Sequence, residues 1–249
     1  MNADRIIVRL GELNLKGRNR HRFEQRVREQ LQRLLKPYAA IRMSSEFGRI
    51  YLELNGEPYA PVAECLDKIF GLNSYSPAYI LPLDAEQIRD QALALMKRIE
   101  PQPKTFKVRV HRANKQFPYD SIEMARYTGG YILENMEGLS VDVHNPEVEM
   151  RIDIRSNFAY VFHVVVPGTG GFPYGTNGKA MLMISGGIDS PVAGWLAMRR
   201  GLEIEAIHFH SYPYTSEKAK DKVIELTRVL SQFAPSVKLS YGAVCRHSD

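Results

Sequence analysis

Residues 181–190 read Met-Leu-Met-Ile-Ser-Gly-Gly-Ile-Asp-Ser. Four apolar residues run into a short loop of serines, glycines and an aspartate, and Pro191 opens a helical pattern directly after. This is how a buried strand delivers a phosphate-binding loop onto a helix N-terminus. Gly186 and Gly187 carry no Cβ, so backbone can come close to a ligand. The first N–H groups of the following helix lack intrahelical partners and point toward an anion. Ser185 and Ser190 add hydroxyl donors. Ser190 suits the N-cap, and Pro191 the first helical position, where no N–H is needed. The loop is not a Walker A motif, since Gly178-Lys179 precedes the strand and is followed by alanine. Nor does it read Gly-x-Gly-x-x-Gly.

The elements that must hold this loop read as βαβαβ. Strands are expected at 180–184 and 203–208, and a third begins at 237–239. Helices are expected at 191–200, ended by Gly201, and at 215–233. The result is a doubly wound α/β domain, in which ligands bind beyond the carboxyl ends of the strands. Those ends present Met183 and Ile184 with the loop, then His208, Phe209 and His210. Backbone groups at Met183-Ile184 and His208-Phe209 then flank an adenine, with phosphates over Gly186 and Gly187. Asp189 beside phosphates makes sense either with an intervening Mg²⁺ or as a helix cap. His208 and His210 can transfer protons or serve the structure.

Ahead of this domain the chain changes character. Residues 1–59 hold 12 Lys and Arg against 7 Asp and Glu, which accounts for all of the net charge of +5. That excess suits a polyanionic partner or, more simply, a solvated basic face. A strand at 6–10, a loop at 11–18 and a helix with Phe23, Val27, Leu31, Leu34 and Leu35 on one face form a small α+β unit. Lys16, Arg18, Arg20, Arg22, Arg26 and Arg28 lie on the loop and the opposite face. Residues 49–54 alternate as a half-buried strand with Ile50, Leu52 and Leu54 inward.

From 60 to 166, helices at 62–70, 85–99 and 121–135 mix with strands at 76–81, 105–112, 148–154 and 158–166. This is an α+β domain with a small sheet. Arg109, Arg112 and Lys115 share one stretch with Phe117 and Tyr119. Cations interleaved with aromatics can hold RNA phosphates and stack on bases, unless they are simply the outer face of a strand. The Gly/Pro-rich residues 167–179 read as a linker. Cys65 falls at helical spacing among Val62, Leu66 and Ile69 and reads as a core thiol; Cys65 and Cys245 form no metal or redox motif. No N-terminal apolar segment is present, and the longest apolar run is too short to span a bilayer. A soluble, cytoplasmic protein is expected, with no membrane partner.

Four segments together resemble one family. They are 8–20 (VRLGELNLKGRNR), 107–118 (KVRVHRANKQFP), 178–194 (GKAMLMISGGIDSPVAG) and 208–217 (HFHSYPYTSE). The chain is similar to the bacterial tRNA 4-thiouridine synthetases (tRNA sulfurtransferases, ThiI), and Ser-Gly-Gly-x-Asp-Ser is similar to the pyrophosphate loop of PP-loop ATP pyrophosphatases. The resemblance implies an N-terminal ferredoxin-like domain at 1–59, a THUMP RNA-binding domain at 60–166, a linker at 167–179 and a PP-loop domain at 180–249. It implies ATP with Mg²⁺ as cofactors and no separate protein-held metal. ATP is expected at Met183, Ile184, Ser185, Gly186, Gly187, Asp189, Ser190, His208 and Phe209, with Asp189 acting through the Mg-pyrophosphate. RNA is expected at Lys16, Arg18, Arg20, Arg109, Arg112 and Lys115. The implied reaction adenylates O4 of a tRNA uridine, after which persulfide sulfur displaces AMP to give 4-thiouridine. Implied partners are tRNA, a cysteine desulfurase, the sulfur carrier protein of thiamine thiazole synthesis and a second copy of the chain. After Leu239 the resemblance stops. The α/β domain is therefore expected to be incomplete, the chain truncated or frameshifted, and the family's catalytic cysteine absent; Cys245 is not taken for it. A non-catalytic tRNA-binding fragment and a small-molecule PP-loop ligase are the alternatives.

Overall fold

The computed structural model of the chain describes residues 3–10, 19–46, 48–210 and 217–243. Its elements, in chain order, are β1 (Arg5–Leu10), α1 (Asn19–Leu34), β2 (Arg42–Glu46), β3 (Arg49–Glu53), α2 (Tyr59–Leu66), β4 (Leu72–Leu81), α3 (Ala85–Met96), β5 (Thr105–Arg112), α4 (Ser121–Asn135), β6 (Ser140–Val141), β7 (Val148–Ile154), β8 (Ala159–Phe162), β9 (Val166–Pro167), β10 (Lys179–Met183), α5 (Asp189–Arg199), β11 (Glu203–His210), α6 (Glu217–Leu230) and β12 (Leu239–Ala243). No described helix is long and apolar enough to cross a membrane. Chain contacts divide the molecule into two compact units. One comprises Met1–Ile7, Tyr51–Gly56 and Ser76–Val166; the other comprises Val8–Ile50, Glu57–Tyr75 and Pro167–Asp249.

In the first unit the strands neighbour one another in the order β3, β1, β4, β8, β7, β5, β6. The β5–β7 pair is parallel, with Arg109 opposite Arg151 and His111 opposite Asp153. A parallel pair needs a crossover, and α4 supplies it. Asp84 and Asp120 start α3 and α4, each accepting two backbone N–H bonds from the first turn. Asp120 and Glu123 complete a reciprocal capping box. Both helices lay their apolar stripes on one face of the sheet. Ile88, Met96, Phe106, Met124, Ile132, Met150 and Ile152 form the core there. Each such side chain contributes about 1.5–3 kcal/mol by leaving water.

Among the described residues, no helix joins the cluster on the other face of that sheet. A smaller cluster of Ile7, Tyr51, Ala78, Tyr160 and Phe162 fills part of it. The Arg5 guanidinium sits 5.5 Å from the Tyr51 and Phe158 rings and 5.7 Å from that of Tyr160, and it pairs with Glu53. Tyr51 is therefore buried along with Ile50 and Leu52. The half-buried alternation expected for this strand fails because an aromatic cluster covers its second side.

In the second unit, Phe23, Val27, Leu31 and Leu35 are the buried stripe of α1. Helix α2 stops at Leu66, short of the expected 62–70, and β4 begins early at Leu72. Gly71 at φ +94 turns the chain between them. Phe70 then packs on Trp195 and Phe233, with ring centroids 5.4 and 5.5 Å away. Residues 168–177 pack closely on their neighbours. Phe172 meets Phe23 at 5.9 Å, and a Cβ on Gly171 would fall 2.2 Å from the Arg199 carbonyl oxygen. Strands β10, β11 and β12 form a parallel three-stranded sheet with β11 in the middle.

Candidate functional site

The crossover helices α5 and α6 share one face of the three-stranded sheet, where Ile184, Met198, Ile204, Ala206, Val223 and Leu230 form the core. Gly194 permits this packing. A Cβ there would lie 2.6 Å from Leu182 Cδ2 and 3.2 Å from Leu230 Cδ1. The opposite face leaves Met181, Met183 and Phe209 at 58, 69 and 48% exposure. Met183 is in register with Ile207, which places Met183 and Phe209 on the same open face by the two-residue period of a strand.

At the carboxyl end of β10 the loop closes on itself through serines. The Ser185 N–H donates to Ser190 Oγ at 3.0 Å, and the two hydroxyls lie 3.3 Å apart. The Gly187 N–H reaches Ser185 Oγ at 3.4 Å. Helix α5 therefore begins at Asp189, two residues before Pro191, with Ile188 in the cap position and no side-chain cap bond. The expected Ser190 cap is overturned because its hydroxyl is drawn back onto Ser185. The first-turn N–H groups of α5 receive no side-chain cap, and such groups suit an anion.

Neither glycine of the loop is required by the fold. Both lie outside the positive-φ set. A Cβ on Gly186 would stand 3.7 Å from Lys222 Cδ, and one on Gly187 would stand 3.5 Å from Ser185 Oγ, both ordinary contacts. The two glycines stand directly before a helix end that has no side-chain cap. Lys222 also enters here. Its stem passes beside Gly186 from α6, and its side chain is exposed. Sequence reading missed it because a lysine in a charged helix looks like any solvated residue; its position relative to the loop emerges only from the packing of α6.

The end of β11 sits beside this loop. His208 is buried, with Nδ1 2.9 Å from the Ile184 carbonyl oxygen and its ring edge-on to Tyr241 at 6.1 Å. The Ile184 N–H donates to the Ile207 carbonyl at 2.9 Å. Both backbone groups of Ile184 thus serve the fold, and its side chain is core. Met183 and Phe209 are the exposed apolar side chains at these strand ends among the described residues. His208 Nε2 is buried with no partner among the described residues. Asp189 is exposed and makes no ion pair among the described residues. No group of three or more His, Cys, Asp or Glu able to hold a metal occurs among the described residues. His210 has its backbone described but not its side chain.

The expected RNA contacts separate into three kinds. Lys16 and Arg18 lie outside the described residues, as does the side chain of Arg20. Arg109 and Lys115 are exposed. Arg109 stands on the face away from the α3 and α4 core, 3.5 Å from Glu149, which Lys107 and Arg151 also approach at 2.8 and 2.9 Å. Burial would raise the Glu149 pKa, but the Lys107 hydrogen bond and the surrounding cations hold it below the ordinary glutamate value. Arg112 turns inward and donates to the carbonyls of Phe117 and Tyr119 at 3.3 and 3.2 Å. Of the two aromatics expected to stack on bases, Phe117 is removed by burial and Tyr119 is half-buried. Phe117 is a core residue, and Tyr119 stacks on Tyr127 at 5.2 Å. Beside Arg109, a groove of about 520 Å³ runs between α4 and β5, lined by Lys107, Arg109, Ile122, Arg126, Gly130 and Leu133.

Residues 5–76 match the family described as the ThiI ferredoxin-like domain, residues 83–164 the THUMP domain, and residues 175–245 the thiamine biosynthesis protein ThiI. A probable tRNA sulfurtransferase of Geobacillus sp. (strain WCH70) is 45% identical over 239 residues, and that of Geobacillus kaustophilus is 47% identical. These alignments cover 96% of this chain and 60% of either relative, so the chain spans about three-fifths of their length. A crystal structure of a 4-thiouridine synthetase–RNA complex with bound ATP superposes with TM-score 0.86 at 36% identity, covering 98% of this chain and 62% of that one. The crystal structure of PH1313 from Pyrococcus horikoshii Ot3 superposes with TM-score 0.80 at 30% identity, covering 96% and 78%.

Fold and loop together define a PP-loop protein, with a three-stranded parallel α/β module preceded by ferredoxin-like and THUMP domains. Within that class the matches run through the chain in one order and one family. The chain belongs to the ThiI family.

Proposed function

We propose that this chain carries the ATP loop and the RNA-binding domains of a tRNA sulfurtransferase that converts a tRNA uridine to 4-thiouridine. The observation that carries the reading is the pair of glycines at 186 and 187. Neither a positive φ nor close packing requires them, yet they stand directly before an uncapped helix N-terminus. In this reading the N–H groups of α5 and the backbone at Gly186 and Gly187 hold the phosphates, with Ser185 and Ser190 fixing the loop between them. Lys222 adds a cation from the side. Met183 and Phe209 give the adenine an apolar surface, and His208 holds the two strand ends in register. A single exposed carboxylate suits Mg²⁺ brought in by the nucleotide, since that ion commonly takes one or two carboxylates and completes its shell with phosphates and water. Asp189 would supply that ligand, and the ion would neutralise phosphate charge.

Uridine O4 attacks the α-phosphorus and pyrophosphate leaves; the terminal sulfur of a persulfide then attacks C4 and AMP leaves, and a second thiol attacks the carrier-side sulfur of the resulting C4–S–S–carrier disulfide, breaking its S–S bond to release 4-thiouridine and a new disulfide. A cysteine desulfurase supplies the sulfur, and the same supply reaches the sulfur carrier protein of thiazole synthesis. The protein works in the cytoplasm on tRNA, as a homodimer. A boundary of 1–59, 60–166, 167–179 and 180–249 remains our assignment of its parts.

AMP release from α-labelled ATP with Mg²⁺ tests the reading, with and without an unmodified tRNA transcript. AMP that appears only with tRNA supports it. A second reading, tRNA binding without turnover, is favoured by the uncovered face at Met181, Met183 and Phe209, which leaves a nucleotide held from one side. Retention of tRNA with no AMP in any condition selects this second reading. AMP release independent of tRNA removes both.

A further inference from the structure

Strand β5 turns Lys107, Arg109 and His111 to one face of the first unit's sheet, the face away from the α3 and α4 core that Phe106, Val108 and Val110 join. The parallel strand β7 sets Glu149, Arg151 and Asp153 beside them in register. The His111 side chain is 65% exposed, yet its Nδ1 lies 3.0 Å from Oδ1 of Asp153, whose own side chain is only 7% exposed. The other carboxylate oxygen, Oδ2, accepts from Arg155 Nη2 at 2.8 Å. An ionised carboxylate only accepts, so Nδ1 carries the proton whether the ring is neutral or charged. His111 Nε2 has no partner among the described residues. That nitrogen is an acceptor in the neutral ring and an N–H donor in the imidazolium.

Arg155 already supplies Asp153 with a counter-charge, so charge balance does not require a proton on His111. The other ionisable groups around the ring are Arg109 on β5, Arg151 on β7 and Tyr160 on β8, which stands opposite Asp153. Glu149 is held among Lys107, Arg109 and Arg151. Once protonated, His111 joins Lys107, Arg109, Arg151 and Arg155 as five cations against the two carboxylates Glu149 and Asp153. A surface with such an excess of one sign attracts a polyanion. Imidazole is the side chain whose charge changes between about pH 5 and 8, so the size of that excess follows pH.

We propose that His111 is a proton-gated contact for a phosphate of the RNA backbone, oriented by Asp153 and flanked by Arg109 and Arg151. This contact presupposes the RNA-binding role proposed above and adds to it a residue and a pH dependence. With the ring charged, Nε2–H donates to a phosphate oxygen and the imidazolium adds its charge. With the ring neutral, the same nitrogen presents a lone pair to the phosphate and the contact is lost. Affinity for RNA therefore rises as pH falls. Bound phosphate in turn favours the protonated ring, since linkage is reciprocal.

Filter binding of the full chain to an unmodified tRNA transcript, across a salt series at about pH 6 and about pH 8, tests the contact. The unaltered protein is expected to bind several-fold tighter at the lower pH, with a salt slope steeper by about one. His111→Gln, neutral at both values, should lose that difference and bind as the unaltered protein does at the higher pH. His111→Arg, charged at both, should bind tightly at both. The chain has seven histidines; the ones besides His111 are common to all three proteins, so the difference between them isolates this ring. Should His111→Gln fail to fold, the flat profile of His111→Arg still decides. Binding that does not vary with pH in the unaltered protein, or that varies equally in His111→Gln, overturns the proposal and leaves the RNA-binding role standing. Absence of tRNA binding at both pH values overturns that role and this contact with it.

Discussion

His208 Nδ1 lies 2.9 Å from the carbonyl oxygen of Ile184, joining the end of β11 to the residue that opens the glycine loop. A carbonyl only accepts, so Nδ1 carries the proton, and in the neutral ring Nε2 is an acceptor. The bond is buried, and deleting its donor leaves the Ile184 oxygen unsatisfied. His208→Leu is expected to cost about 1–3 kcal/mol in chemical unfolding and to weaken ATP binding by loosening the loop. His208→Asn places an amide N–H near Nδ1 and should recover most of both. A leucine variant as stable as the parent, with unchanged nucleotide affinity, would show that this bond holds nothing of consequence.

The two kinds of glycine in the α/β module should separate cleanly. Gly194→Ala forces a methyl against Leu182 and Leu230, and overpacking of this kind costs about 1–3 kcal/mol. Gly186→Ala meets only the flexible stem of Lys222, so stability should stay within about 1 kcal/mol while ATP affinity falls at least tenfold. Unfolding curves and nucleotide titrations on both variants check this. Equal nucleotide affinity in Gly186→Ala would remove the glycine loop as the phosphate site.

The glycine loop was legible because strand, loop and helix are contiguous in sequence. Periodicity likewise placed α3, α4, β5 and β7, whose faces are set by one dominant contact. Features made by distant segments were not legible. The burial of Tyr51 depends on Tyr160, more than a hundred residues away. The inward turn of Arg112 depends on where the carbonyls of the next loop fall. The Ser190 cap failed for a related reason: capping rules assume a free hydroxyl, and here the preceding loop takes it. Composition marked residues 167–179 as a linker, yet Gly171 and Phe172 show close packing, which glycine content cannot reveal.

Glu149 should make the first unit acid-sensitive in a specific window. Its folded pKa lies below the ordinary value of 4.5 because Lys107, Arg151 and Arg109 outweigh burial. A depressed folded pKa contributes stability that is present above the unfolded pKa and is lost as pH falls through the folded one. Unfolding free energy should therefore decline below about pH 4.3. Glu149→Gln should flatten that limb while leaving the three cations uncompensated at neutral pH. Parallel pH–stability curves for parent and variant would count against this network.

Lys222 should act on the nucleotide and not on the fold. It is exposed on α6 beside Gly186, with no ion pair among the described residues. Lys222→Met keeps the stem and removes the charge. Melting should be unchanged, and affinity for ATP should fall several-fold, more than affinity for adenosine, which has no phosphates to attract. Isothermal titration with both ligands makes the comparison. Equal losses for the two would place Lys222 near the base instead.

Arg109 and Arg112 are neighbours in sequence with opposite expected roles. Arg109 is 66% exposed in its side chain beside Glu149, so Arg109→Ala should leave melting unchanged, weaken tRNA binding and reduce the salt slope by about one if it meets a phosphate. Arg112 instead holds the carbonyls of Phe117 and Tyr119. Arg112→Ala strips a charged donor from two partly buried acceptors, a loss of about 1.5–3 kcal/mol, and should lower the melting temperature before it touches the salt slope. Filter binding across a salt series, set beside thermal unfolding, reads both. If Arg112→Ala changed the slope with no loss of stability, its guanidinium would be facing RNA and not the loop it is seen to hold.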